Sequence, residues 1–150
     1  MFDPEIPVKD LMSRDVVTIS QKATLARALA TLREYTLGSA PVVDEHGSVV
    51  GVFSLTDAAR QVTEGARDAE DELVASWMTE KVRWLPSDAT AGDVARLMAE
   101  ESVHHIVILE NGAVRGIVSS LDVVRAVARS LPPKRRREPS AAQRPSPRGL

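Results

Sequence analysis

The chain has 150 residues, 43% hydrophobic and 27% charged, enough for a packed core in one domain or two small ones and the balance of a soluble globular protein. It has no cysteine, which excludes a disulfide framework and any thiolate metal site, and no apolar run approaches the ~20 residues of a membrane-spanning helix. The formal net charge of −2 is uneven: residues 131–150 hold six basic groups against Glu138 alone, or +5, and residues 1–130 hold 13 basic and 20 acidic groups, or −7, so a broad nucleic-acid face on the globular part is not expected.

In chain order, Met1-Phe2-Asp3-Pro4-Glu5 lacks the basic and apolar regions of a signal peptide, and a cytoplasmic location is expected. A short helical turn ends at Met12, and an extended piece follows over 16–19. Thr24 reads as the N-cap of a helix whose stripe is Leu25, Leu29, Leu32 and Thr36. Residues 40–43 and 49–53 read as strands flanking the turn Asp44-Glu45-His46-Gly47, and a second helix covers about 56–64. Residues 65–73 are polar and acidic and read as a solvated connection. The succession then recurs. A turn ends at Met78, and an extended piece covers 82–85. Thr90 with Asp93 three residues on reads as a capping box, ahead of the stripe Val94, Leu97, Met98, Glu101. Strands over 106–109 and 114–118 flank Asn111-Gly112, a strong hairpin signal, and a last helix covers about 121–130. Residues 131–150, with five prolines and almost no large apolar residue, are expected to be a disordered basic tail.

The recurrence is a repeat. Val8-Lys9-Asp10-Leu11-Met12-Ser13 aligns with Val74-Ala75-Ser76-Trp77-Met78-Thr79, and Thr24 with Thr90, at an offset of 66. The second hairpin turn is one residue shorter, and beyond it Gly51, Ser54 and Asp57 match Gly116, Ser119 and Asp122 at an offset of 65. A surface turn is where such a loss costs least. Each unit, 8–64 and 74–130, reads β-α-β-β-α, with 65–73 between them. About sixty residues make a thin core. The expected fold is therefore α+β, with two α/β-type repeats packed sheet to sheet with pseudo-twofold symmetry.

The Met-Ser/Thr opening of each repeat, Ala40-Pro41-Val42-Val43-Asp44, and the two stretches Gly51-Val52-Phe53-Ser54-Leu55-Thr56-Asp57 and Gly116-Ile117-Val118-Ser119-Ser120-Leu121-Asp122 resemble the tandem CBS-domain pair, or Bateman module. The resemblance runs from Val8 to Arg129. It implies a regulatory module that binds an adenosine-containing ligand (AMP, ADP, ATP or similar) in clefts between the repeats. It also implies dimerisation into a flat disc. Many such modules are attached to an enzyme, channel or transporter. This chain has no room for one, so a stand-alone homodimeric sensor reporting to an unidentified effector protein is expected. By the family pattern, adenine is met by Thr18, Ile19, Ser39, Ala40 and Pro41 in one half and by Trp84, Leu85, His105, Ile106 and Val107 in the other. The second set departs from the first: Val107 stands where Pro41 does, and Trp84 where Thr18 does. An indole there either stacks on adenine or fills the cleft. The Asp57 site follows the family better than the Asp122 site.

The residue chemistry fits such a ligand. One carboxylate accepts hydrogen bonds from both vicinal hydroxyls of a ribose. Asp57 and Asp122 stand in a first helical turn, where negative charge is favoured. Ser54 and Ser119 can donate to a ribose or phosphate oxygen, and free N–H groups at a helix start favour phosphate. Gly51 and Gly116 permit close approach of a ligand or another backbone. A capping box alone also accounts for both Ser-x-x-Asp stretches. The two readings are compatible.

Other features carry less. His104 and His105 point to opposite faces of a strand, and no convergent ligand set offers a metal site; no metal and no resident cofactor are expected. Met12 and Met78 read as core fillers at the repeat junction. Lys134 to Arg137 form a basic cluster that solubilises the chain or folds back on its acidic domain; specific nucleic-acid binding is not expected. There is no Cys nucleophile, Gly-x-Ser-x-Gly elbow or P-loop, and the chain reads as a non-enzyme. The alternative function is a ligand-free dimerisation scaffold whose basic tail makes the contacts.

Overall fold

The structure, a computed structural model, describes residues 1–65 and 67–134. Strand β1 (Ile19–Ser20), helix α1 (Leu25–Glu34), strands β2 (Ser39–Val43) and β3 (Val49–Ser54) and helix α2 (Leu55–Glu64) form one unit. Strand β4 (Trp84–Pro86), helix α3 (Ala91–Glu101), strands β5 (His105–Glu110) and β6 (Ala113–Ser119) and helix α4 (Ser120–Ser130) form the other. A 3₁₀ turn opens each, Val8–Asp10 and Val74–Ser76. The expected α+β architecture of two β-α-β-β-α repeats is observed. The tail expected to be disordered lies, from Arg135 onward, outside the described residues. Among the described residues no helix is long and apolar enough to cross a membrane.

Local chemistry sets the element starts. Thr24 Oγ1 accepts from Arg27 N at 3.1 Å, and Thr90 caps α3 with Asp93 in a reciprocal box. Asn111 and Gly112 both take positive φ, as a tight hairpin of this hand requires. Each sheet has three strands, with the first parallel and the third antiparallel to the central one. The extended pieces are shorter as strands than the sequence suggests. Val16 N donates to Arg14 O and Val82 N to Glu80 O, tight local turns that hold those residues out of the sheets.

The packing units differ from the sequence units. One core joins Ile19, Leu25, Ala28, Leu32, Ala40, Val42 and Phe53 of the first repeat to Val74, with Trp77 and Met78 against it. The other joins Val94, Met98, Ile106, Ile108, Val118 and Ala126 of the second repeat to Val8 and Leu11, with Met12 against it. Each repeat's opening segment therefore fills the core of the other. The main chain follows suit. Ser13 and Ile117 bond each other in both directions, as do Thr79 and Val52, at 2.9–3.2 Å. Helix starts leave N–H groups without partners, and the exchanged segments supply them. Leu25 N and Ala26 N donate to Glu72 O and Ala69 O, and Ala91 N and Gly92 N to Ile6 O and Pro4 O. The acidic connection is thus docked on α1 through its carbonyls, where charge alone suggested a solvated stretch.

Side chains alternate along a strand. Ala40 and Val42 face one core and Ile106 and Ile108 the other, so Pro41 and Val107 lie on the opposite faces. Both are fully buried yet belong to neither cluster.

Candidate functional site

Two clefts lie where the repeats meet, each built around one Ser-x-x-Asp. Ser54 ends β3 and caps α2. Its backbone N and its Oγ both donate to Asp57 Oδ2, at 2.9 and 3.1 Å, and Oγ accepts from Asp57 N at 3.3 Å. Ser119 and Asp122 repeat this at 2.8, 3.0 and 3.2 Å. One carboxylate oxygen of each aspartate is consumed by the cap and the other, Oδ1, stays outside it. The Asp57 side chain is 9% exposed and that of Asp122 18%. The third reciprocal box, Thr90–Asp93, has the same bonds at 2.9, 3.1 and 3.2 Å but borders neither cleft. The Thr90 backbone bond, with help from its hydroxyl, holds the Asp93 carboxyl below its ordinary pKa. Capping alone therefore produces this geometry; position at the repeat junction is what separates Asp57 and Asp122 from Asp93.

The Asp57 cleft, about 210 Å³, has Val52, Ser54 and Thr56 on one side and Thr79, Lys81, Arg83 and the stretch 102–105 of the second repeat on the other. The Asp122 cleft, about 220 Å³, has Ile117, Ser119, Leu121 and Arg125 facing Ser13 and the stretch 36–39 of the first repeat, with His105 between. Each aspartate thus faces the other repeat. At the corresponding helix exits, Thr36 and Ser102 are non-glycine residues with φ of 53°, a conformation that costs energy and recurs at ligand sites.

His105 borders both clefts. Burial, then the neighbouring His104, lowers its pKa below 6.5, against a smaller upward pull from Asp122 and Asp57, so the ring is uncharged at neutral pH. Arg60 lies 3.7 Å from Asp57 Oδ1, but its Nη2 donates to Trp77 O at 2.7 Å and its guanidinium sits 5.4 Å from the Trp77 ring centre. The Trp77 indole N–H in turn donates to Glu72. Arg125 stands 3.8 Å from Asp122 Oδ1 and is mostly exposed. Arg83 donates to Glu101 Oε2 at 3.0 and 3.1 Å and to Lys81 O at 2.7 Å.

Of the residues named from sequence, Ser54, Asp57, Ser39, Ser119, Asp122 and His105 border the clefts. Ile19, Ala40 and Ile106 point into the cores, and Pro41 and Val107 are buried; at these positions only main-chain groups remain for a ligand. Thr18 is exposed, Leu85 packs against the second core, and Trp84 is 54% exposed. None of the three borders a cleft, so the indole of Trp84 plugs neither. Gly51 and Gly116 make room for Met78 and Met12, not for a ligand. Sequence reasoning missed Thr79, Lys81 and Arg83, and Thr36 and Ser102. Their signal was positional: they follow each Met-Ser/Thr opening or end the first helix of each repeat.

Comparison with known proteins agrees with this architecture. The CBS domain model matches residues 8–64 and 74–129. An uncharacterized protein of Methanocaldococcus jannaschii is 29% identical over 134 residues, covering 81% of this chain but only 32% of that protein, so the chain spans about a third of that relative's length. The crystal structure of the CBS-domain containing protein ATU1752 from Agrobacterium tumefaciens superposes with a TM-score of 0.75 at 30% identity, covering 85% of this chain and 97% of that one. The CBS domain pair of protein MJ0100, solved with 5′-methylthioadenosine and S-adenosyl-L-methionine, superposes with a TM-score of 0.76 at 25% identity, covering 82% and 98%. The chain belongs to the CBS-domain family, and its two exchanged repeats are a tandem pair of CBS domains.

Proposed function

We propose that this CBS pair is a cytoplasmic regulatory sensor. An adenosine-containing ligand enters a cleft between the repeats, its ribose hydroxyls donate to Oδ1 of Asp57 or Asp122, and a separate effector protein reads the change. The observation that carries the reading is the half-used carboxylate. Each aspartate is fixed by its serine through one oxygen and keeps the other outside the cap, in a cleft at the repeat junction. A vicinal diol is best met by such an immobile, acceptor-only group. The two adenosyl compounds bound by the MJ0100 pair support adenosine as the ligand class. Ser54 and Ser119, whose hydroxyl hydrogens go to the carboxylates, act as positioning residues, and phosphate falls to first-turn N–H groups. Both clefts are below the ~300 Å³ of ordinary ligand pockets. Entry therefore widens the cleft and changes the angle between repeats, which supplies the differential affinity that signalling requires.

Regulation is proposed rather than turnover. The cleft serines are committed to their caps, and among the described residues His105 makes no side-chain hydrogen bond to either. Tyr35, Leu55, Val62, Leu121 and Val124 leave apolar surface exposed on or beside the helices, which suits a second copy of the chain in a homodimer. That surface also favours the second reading, a ligand-free dimerisation scaffold whose tail makes the contacts.

Calorimetry with AMP, ADP, ATP, 5′-methylthioadenosine and S-adenosyl-L-methionine tests the reading. Binding is expected, with Asp57→Ala and Asp122→Ala each removing one site. The ligand is expected to be recovered unchanged. Absence of heat from all five at millimolar concentration, with a dimer intact by light scattering, would favour the scaffold.

A further inference from the structure

We infer that the two clefts take different ligands: a phosphorylated adenosine compound at Asp57 and an unphosphorylated one at Asp122. The inference rests on the reading of both clefts as adenosine sites and adds what separates them.

The clefts are built from corresponding residues, so their differences can be read position by position. Lys81, Arg83 and Thr56 border the Asp57 cleft. Their counterparts at the offsets of 66 and 65 are Asp15, Val17 and Leu121. Leu121 puts an apolar chain where Thr56 has a hydroxyl, while Asp15 and Val17 do not border the Asp122 cleft, which therefore has no cation in the places of Lys81 and Arg83. Arg83 is compensated by Glu101. Lys81 makes no ion pair among the described residues, and it is the cation left for a ligand.

The arginine beside each aspartate also differs. Arg60 is tied to Trp77 through its carbonyl and ring and does not border the Asp57 cleft. The Trp77 counterpart in the other half is Leu11, which offers no ring, and Arg125 borders the Asp122 cleft next to its own carboxylate. Asp57 is paired with Arg60 and Arg83 with Glu101, so Lys81 is the uncompensated cation of the Asp57 cleft, whereas Asp122 and Arg125 balance each other in the other cleft. A phosphate chain gains Coulomb energy at the first and little at the second. An uncharged nucleoside gains nothing from Lys81 and leaves its ammonium desolvated and unpaired in the first cleft, whereas at the second it meets no unpaired cation and packs on Leu37, Ile117 and Leu121. His105 borders both and does not discriminate.

The test is calorimetry on the full chain with two probes, ATP and adenosine. Asp57→Ala is expected to remove ATP binding and spare adenosine, and Asp122→Ala to do the reverse. Lys81→Asp, which copies the residue at position 15, is expected to weaken ATP roughly tenfold or more and to move adenosine by less than about twofold. Lys81→Gln, expected to fall between, serves if the aspartate variant fails to melt like the parent. Equal loss of ATP in both aspartate variants, or an unchanged ATP affinity in Lys81→Asp, overturns the inference while adenosine binding stands. Failure of both probes to bind the parent chain overturns the inference together with the adenosine reading.

Discussion

The thioether of Met78 occupies the space that a side chain at Gly51 would need. A Cβ built on Gly51 falls 2.5 Å from Met78 Sδ and 3.0 Å from Thr79 O, and Gly116 meets Met12 and Ser13 in the same way. The glycine of each Gly-x-x-Ser-x-x-Asp is therefore a seat for the other repeat's opening segment. Gly51→Ala is expected to destabilise the protein by about 1–3 kcal/mol through overpacking. Half-buried Met78→Ala is expected to cost about 2 kcal/mol, the low end for such truncations. Made together, the two should cost less than their sum by about 0.5 kcal/mol or more. Urea denaturation measures all three; strict additivity would mean that the residues do not compete for one volume.

Caps and ligand contacts can be separated by comparing two capping boxes. Ser54→Ala and Thr90→Ala each remove an N-cap oxygen and should each cost about 1 kcal/mol. Only Ser54 fixes a carboxylate that borders a cleft. Ligand affinity at the Asp57 cleft should fall in Ser54→Ala and stay unchanged in Thr90→Ala. A parallel loss in both variants would reduce the effect to global stability.

The exchange of opening segments makes a prediction about fragments. Residues 1–65 lack Val74, Trp77 and Met78, which complete the first core, whereas residues 14–79 contain that core together with the carbonyls that cap α1. Circular dichroism should show more helix and a more cooperative melt for 14–79 than for 1–65. The opposite order would show that the exchanged contacts contribute little.

His105 gives the stability a pH dependence of defined sign. Burial lowers its folded-state pKa below 6.5, so as pH falls the unfolded chain takes up this proton first. Its contribution is absent above pH ~6.5 and becomes increasingly destabilising below it, down through the folded pKa. His105→Gln should flatten that segment of the profile, measured by urea denaturation at pH about 7.5 and about 5.5. An unchanged slope would assign the acid sensitivity to other groups.

Much of the fold was legible because its signals are local. Thr24, Thr90, Ser54 and Ser119 announce helix starts through bonds that span three residues, and Asn111-Gly112 announces a turn through two backbone angles. The repeat itself needed only the ordered matches between the halves. The aspartates at the centre of each cleft were legible for the same reason, since a capping box is written within four residues.

What the chain alone left undecided was which segment covers which core. Val8 and Val74 are the same residue in the same frame, equally suited to either repeat, and hydrophobic pattern reports that a side chain is buried but not against what. Only the tertiary structure sends each opening segment across to the other repeat. That crossing brings Lys81 and Arg83 to Asp57 and leaves Asp15 and Val17 at the corresponding positions of the other half. The cationic character of the Asp57 cleft is therefore a property of contacts between residues more than twenty positions apart, which no local period encodes.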